Sequence, residues 1–236
     1  MTTTIHKADS RGYADHGWLK ARHSFSFANY YNPKRIRFGL LRVLNDDIIE
    51  AGMGFGTHPH DNMEIVTIPL RGEIAHKDST GNHGVIRAGD IQIMSAGSGL
   101  THSEFNNSDK NDLNLLQIWV FPKEKDIAPR YDQKTFDSLE RINQIVTLVS
   151  PDRSENTLWI NQNAFFSMTD LRKDNSVEYK IIQKGNGVYV FLIEGEANVS
   201  GNILIKRDAI GIEDTDSIEL TAINDSKILI IEVPMR

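Results

Sequence analysis

Two short strings carry side chains that bind metal ions or move protons. In His58-Pro59-His60 two imidazoles are separated by one residue, and in His102-Ser103-Glu104 an imidazole and a carboxylate share that spacing. In an extended chain residues i and i+2 project to the same face, so each string presents its two donors together. Pro59 favours the extended form for His58 and offers no amide to a sheet ladder. Glycines precede both strings: Gly52, Gly54 and Gly56 lead into the first, and Gly97 and Gly99 into the second. Three neutral imidazoles and one carboxylate suit a divalent transition metal and leave the centre a net charge of about +1. Such a centre attracts an anionic oxygen ligand and keeps positions for water, substrate or dioxygen.

The remaining candidates read as structure. All eight histidines fall between His6 and His102, and residues 103–236 contain none. His76 and His83 flank the Asp78–Asn82 turn and read as structural or surface groups. His23 reads as a packing residue, and His6 and His16 as surface groups. Phe25, Phe27 and Phe55 could line an apolar substrate pocket, although aromatic residues in a β-fold are more often core. The acidic run Glu213-Asp214-Thr215-Asp216 reads as a solvated loop, since it lacks the spaced ligands of a calcium site.

The elements that must position these groups read as strands. The chain has 236 residues, 39% of them apolar and 25% charged, enough to bury a sizeable core. Cysteine is absent, which excludes a disulfide scaffold, a thiolate metal site and a cysteine nucleophile. A formal charge of −6 argues against direct nucleic-acid or membrane-surface binding. No run approaches the ~18 apolar residues of a membrane span, and the N-terminus lacks the apolar block of a secretory signal, so the expected location is cytoplasmic. Glycines punctuate short apolar runs almost throughout, the pattern of an all-β chain. Expected strands are Phe38–Leu44, Glu64–Leu70, Gly84–Ala88, Ile91–Met94 and Leu115–Phe121. The second half adds Ile145–Val149, Val188–Ile193, Ala197–Val199, Ile203–Ile205, Ser217–Leu220 and Ile228–Val233. A short helix is expected around Phe136–Ile142 and a helical turn near Asn163–Asp170.

The halves resemble each other. Leu70-Arg71-Gly72-Glu73 is matched by Ile193-Glu194-Gly195-Glu196 at an offset of 123, and Asp90 by Asp208 at 118. Ile118-Trp119-Val120-Phe121-Pro122 is matched by Ile230-Ile231-Glu232-Val233-Pro234 at 112. Two similar β units in tandem, the second with shorter loops, is the simplest reading. The polar stretch from Pro122 to about Asn143 separates them, and the division is placed between 1–135 and 136–236.

Gly52-x5-His58-x-His60-x3-Glu64, followed by Gly89-Asp90-x4-Ser95-x-Gly97-x4-His102-x3-Asn106, resembles the two cupin motifs. The string from Gly72 to Asp90 and the run Ser95-Ala96-Gly97-Ser98-Gly99-Leu100-Thr101-His102-Ser103-Glu104 resemble the pirin family specifically. The resemblance is dense from about His16 to Pro122, and the second half resembles the C-terminal cupin of bacterial pirin-like quercetinases. It implies a bicupin, two antiparallel jelly-roll β-barrels in tandem with few short helices, with metal in the first barrel only. The ligands carried over are His58, His60, His102 and Glu104. Two departures from the general cupin pattern, Ser95 in place of proline and one extra residue between Glu64 and Gly72, match the pirin variant. They move the carboxylate ligand from Glu64 to Glu104. The implied cofactor is one divalent transition metal ion, iron(II) first, with copper, nickel, manganese, cobalt and zinc compatible with the same donors. The implied activity is dioxygenation of a flavonol such as quercetin, with O2 as co-substrate, carbon monoxide released, and Glu104 as ligand and base. The alternative is a metal-bearing regulator that acts through a protein partner, as some pirins do. A monomer is compatible with either reading.

Overall fold

The punctuated apolar runs are realised as 22 β-strands and two single-turn 3-10 helices in the computed structural model, which describes all 236 residues. The chain begins with β1 (Thr2–His6), β2 (Gly12–Asp15), β3 (Leu19–His23), β4 (Leu41–Ile49), β5 (Gly54–His60) and β6 (Glu64–Arg71). It continues through β7 (Glu73–Asp78), β8 (His83–Arg87), β9 (Asp90–Ser95), β10 (Leu100–Asn106), β11 (Leu113–Val120) and β12 (Arg130–Thr135). The second half holds β13 (Val146–Ser150), β14 (Leu158–Trp159), β15 (Phe165–Leu171), β16 (Ser176–Lys180) and β17 (Asn186–Glu194). It ends with β18 (Glu196–Val199), β19 (Asn202–Ile205), β20 (Ala209–Glu213), β21 (Ser217–Ala222) and β22 (Ser226–Pro234).

Each half pairs one seven-stranded sheet with one four-stranded sheet. The first half is ordered β12-β9-β6-β11-β4-β3-β2 against β5-β10-β7-β8, and the second β1-β20-β17-β22-β15-β13-β14 against β16-β21-β18-β19. Pairing is antiparallel except between β13 and β14. The two halves therefore repeat one jelly-roll arrangement, as a bicupin does. The expected division at residue 135 falls at the end of β12, and strands cross it. β1 pairs with β20 in the second half's sheet, while β12, which leads into the second half, pairs with β9 of the first.

Three cores follow from strand alternation. The outer faces of the two large sheets pack on each other and bury Val66, Ile68, Ile93, Leu116 and Ile118 against Phe166, Met168, Phe191, Leu229 and Ile231. The inner face of the second half is mainly apolar, with Val188, Val190, Ile210, Leu220 and Ile230 in one cluster beside buried Ser167, Thr169 and Glu232. The inner face of the first half is apolar only toward its ends, around Ile49, Ile74 and Leu115 at one and Ile65, Met94 and Leu100 at the other. Phe38 enters the seam sideways from a turn. A Cβ on Gly211 would stand 2.6 Å from its ring and one on Gly187 3.0 Å, so these glycines leave the space the ring fills. Arg207 of the second half and Arg11 of the first each approach Asp46 Oδ2 at 3.6 Å.

Four expectations are corrected. Asn163–Asp170 is no helical turn: Phe165–Leu171 is the interior strand β15, buried on both faces, which erases the alternation that marks a strand in sequence. The strand expected from Phe38 starts at Leu41, because Gly39 turns the chain at φ 51°. The helix around Phe136–Ile142 shrinks to one 3-10 turn, Ser138–Arg141, capped by the Asp137 carboxylate on Leu139 N. His6 is buried rather than exposed, since β1 joins the second half's sheet as its edge strand, and its Nδ1 lies 2.8 Å from Tyr189 Oη. No helix is long and apolar enough to cross a membrane.

Truncating Phe38 to alanine leaves a void in the seam and is expected to lower unfolding stability by about 3–5 kcal/mol, read from urea denaturation. Burial pushes the His6 imidazole down from its usual 6.5 to about 4, so the folded state prefers it neutral. Its contribution is present above pH 6.5 and is lost as pH falls through that range toward 4. Between pH 7 and pH 4.5 the native protein is expected to lose about 2–3 kcal/mol more stability than His6→Gln. Parallel pH profiles for the two proteins would refute this.

Candidate metal centre

The inner face of the first half is polar at mid-height. β10 brings His102 and Glu104 inward together, with Ser103 between them pointing away, and pairs with β5 on one side and β7 on the other. The β10–β5 register slips between His102, opposite His58, and Glu104, opposite Phe55. The extra residue lies in β5 around Gly56-Thr57, and such a bulge re-aims the side chains beside it. Gly56 O then lies 2.8 Å from His58 Nδ1. That bond fixes the Nδ1–H tautomer and leaves Nε2 bare as a ligand atom.

One nitrogen from each of His58, His60 and His102 lies within 4.8 Å of the others. His58 Nε2 and His102 Nε2 are 3.0 Å apart. Two such nitrogens can both sit about 2.1 Å from a single cation. Burial, then the neighbouring imidazoles, pushes His60 down to about 4 and His102 to about 3, so both stay neutral and keep their lone pairs. Glu104 stands back from this cluster of three. It is buried, its Oε2 accepts from Gln117 Nε2 at 3.2 Å, and its Oε1 has no partner. Gln117 is oriented in turn by Thr67, whose hydroxyl donates to Oε1 at 3.2 Å. Desolvation raises Glu104 to about 7, and the buried Asp47 to about 8. A free carboxylate oxygen near three imidazoles fits a divalent transition metal.

Glu64, the alternative carboxylate, has one oxygen tied into the contact between halves, while its Oε1, like that of Glu104, has no partner. Its Oε2 accepts from Ser95 Oγ at 2.8 Å and from the Asn161 amide at 3.1 Å. The serine in place of the cupin proline thus supplies a hydroxyl that holds Glu64 in the contact between halves. His23 packs at Asn45 Oδ1, 2.9 Å away, while His16 and His83 are exposed. Phe25 is core, and half-buried Phe55 packs on Trp18 and edges toward His58.

Sequence reasoning missed three groups here. His76, expected to be structural or at the surface, is 3% exposed, lies directly opposite Glu104, and has its ring centre 5.3 Å from that of His102. Tyr131 of β12 stacks on it at 4.7 Å. Trp119 meets His60 edge-on at 5.0 Å, with its Nε1 unpartnered. The signal for His76 was its place in Ala75-His76-Lys77-Asp78, where alternation turns it to the same side as Ile74. Asp78 orders the hairpin that carries it by accepting from Thr80 and Asn82.

The second half reproduces the frame without the donors. Val199 lies opposite Leu220 where His76 lies opposite Glu104, and Ile218 stands two residues before Leu220 as His102 does before Glu104. All three are buried in its apolar core.

Residues 4–120 match the Pirin family, and residues 147–233 match the quercetinase C-terminal cupin domain. Over 230 residues the chain is 43% identical to the quercetin 2,3-dioxygenase of Escherichia coli K12, covering 98% of each chain. It is 40% identical over 225 residues to a pirin-like protein of Caulobacter vibrioides, covering 95% of this chain and 96% of that one. The structure of the bacterial pirin YhhW from Escherichia coli in complex with nickel(II) superposes with a TM-score of 0.93 at 40% identity, over 99% of each chain.

The approach of β5 to β10 depends on Gly54, because a Cβ there would collide with Glu104 O. Gly54→Ala must push β5 away at a cost of about 1–3 kcal/mol. It is expected to lower the metal content of the purified protein several-fold, measured by elemental analysis, while His83→Ala leaves it unchanged.

Proposed function

Because the chain belongs to the pirin family, we propose that it is a metal-dependent dioxygenase that cleaves a flavonol such as quercetin with O2 and releases carbon monoxide. The observation that carries this reading is the convergence of three imidazoles near a buried carboxylate with one free oxygen. His58, His60, His102 and Glu104 are the residues that hold the metal, and iron(II) is the first choice, with nickel(II) supported by the ion in the similar pirin structure. When bound, a divalent transition metal supplies Lewis acidity that favours the anion of the flavonol 3-hydroxyl.

The chain's own groups do the rest. Glu104 would take the proton of the 3-hydroxyl on Oε1 once that oxygen is released from the cation, while Gln117 keeps Oε2 in place. Phe55 beside His58 and Trp119 beside His60 cover the imidazoles with apolar surface and limit water around them. A planar polyphenol matches this mixture of aromatic walls and few polar atoms.

The test combines metal analysis with incubation in air, following flavonol absorbance and carbon monoxide. Glu104→Gln is expected to retain metal and to lower kcat about 10²–10⁴-fold, the range for a lost general base. A fully loaded native protein that leaves quercetin intact would overturn the assignment, and a Glu104→Gln variant that loses metal but keeps native turnover per bound metal would remove Glu104's role as base.

A further inference from the structure

The first half holds a fourth imidazole that the metal cluster does not use. His76 is buried, yet neither Nδ1 nor Nε2 has a hydrogen-bond partner. Buried polar atoms are nearly always satisfied, so an imidazole with both nitrogens free points to an occupant of the lumen. The ring is held in place, stacked on Tyr131 with an interplanar angle of 17°, and Tyr131 is itself tied to Gln133 Oε1 at 2.9 Å. Packing alone does not call for histidine at this position. The second half puts Val199 there, opposite Leu220, and fills the space with apolar contacts alone. Where the donors are present, the same position carries a side chain that offers one donor and one acceptor in its neutral form.

We propose that His76 is a substrate-positioning residue of this centre, whose imidazole hydrogen-bonds an oxygen of the bound flavonol. The inference rests on the flavonol reading above and extends it to a residue outside the ligand set. His76 lies across from Glu104 and beside His102, so an aromatic ligand that presents one oxygen to the metal site brings its neighbouring oxygens toward this ring. The contact selects for polyphenols over apolar molecules of the same shape, since an apolar ligand leaves both nitrogens unsatisfied.

The experiment uses full-length protein loaded with nickel(II), without oxygen, so that binding is read apart from turnover. Quercetin is titrated and its visible absorbance shift gives Kd, while elemental analysis gives metal content. His76→Val copies the residue of the second half and His76→Gln keeps a donor and an acceptor. The expected result is metal content equal to the native protein in both variants, a Kd at least fivefold weaker in His76→Val, and recovery to within threefold in His76→Gln. A Kd changed less than fivefold in a metal-replete His76→Val overturns the proposal while the flavonol reading stands. Loss of metal from His76→Val overturns it too, by making His76 a support of the metal cluster. A native protein that binds no quercetin removes the flavonol reading, and this inference with it.

Discussion

The apolar seam between the two large sheets is the constraint on which the rest of the structure depends. It buries the outward side chains of β6, β9 and β11 against those of β15, β17 and β22, and so holds the backs of both barrels rigid. Unpartnered polar atoms in a protein interior cost stability, and the first half carries several: Glu104 Oε1, Gln92 Oε1, Asp47 Oδ1 and both nitrogens of His76. A barrel lined this way does not stabilise itself. Its hydrophobic stabilisation comes from the side facing its neighbour and from the apolar caps at its two ends. The exchanged strands reinforce the arrangement, because β1 and β12 each tie one half's backbone into the other half's sheet.

The two halves act as an internal control on what the centre requires. They share sheet order, so the difference between a lumen lined with donors and a packed one lies in the side chains at matching positions and in the β5 bulge, which β16 lacks. His76, His102 and Glu104 answer to Val199, Ile218 and Leu220. The second half's buried carboxylate, Glu232, is fully satisfied by Tyr179, Asn186 and the amides of Ile182 and Gln183. Glu104, in contrast, keeps one oxygen free. A buried carboxylate with all its bonds made is structure, and one with a bond left open beside imidazoles is poised for a ligand.

Legibility followed the location of the chemistry. Strands with apolar residues on both faces, such as Val188–Ile193 within β17 and Leu115–Phe121, which covers most of β11, stood out in the sequence. The strands of the centre did not stand out as apolar runs. In β5, β7, β10 and β12 the inward positions carry histidine, glutamate and tyrosine, so the hydrophobic period that signals a strand is broken where the function sits. The donors themselves were readable because i, i+2 spacing converges on one face in any extended chain. β15 failed in the opposite way: burial on both sides left no alternation to separate it from a buried helical turn.

The amino-acid order alone determined the all-β class, the tandem halves, the exclusion of thiolate chemistry and the two strings that supply the donors, since each depends on composition or on local backbone geometry. Only the tertiary structure decided which side chains meet. It buried His6 under Tyr189, bound Glu64 to Ser95 and Asn161, and set His76 across from Glu104, because strand pairing brings together residues that are distant along the chain.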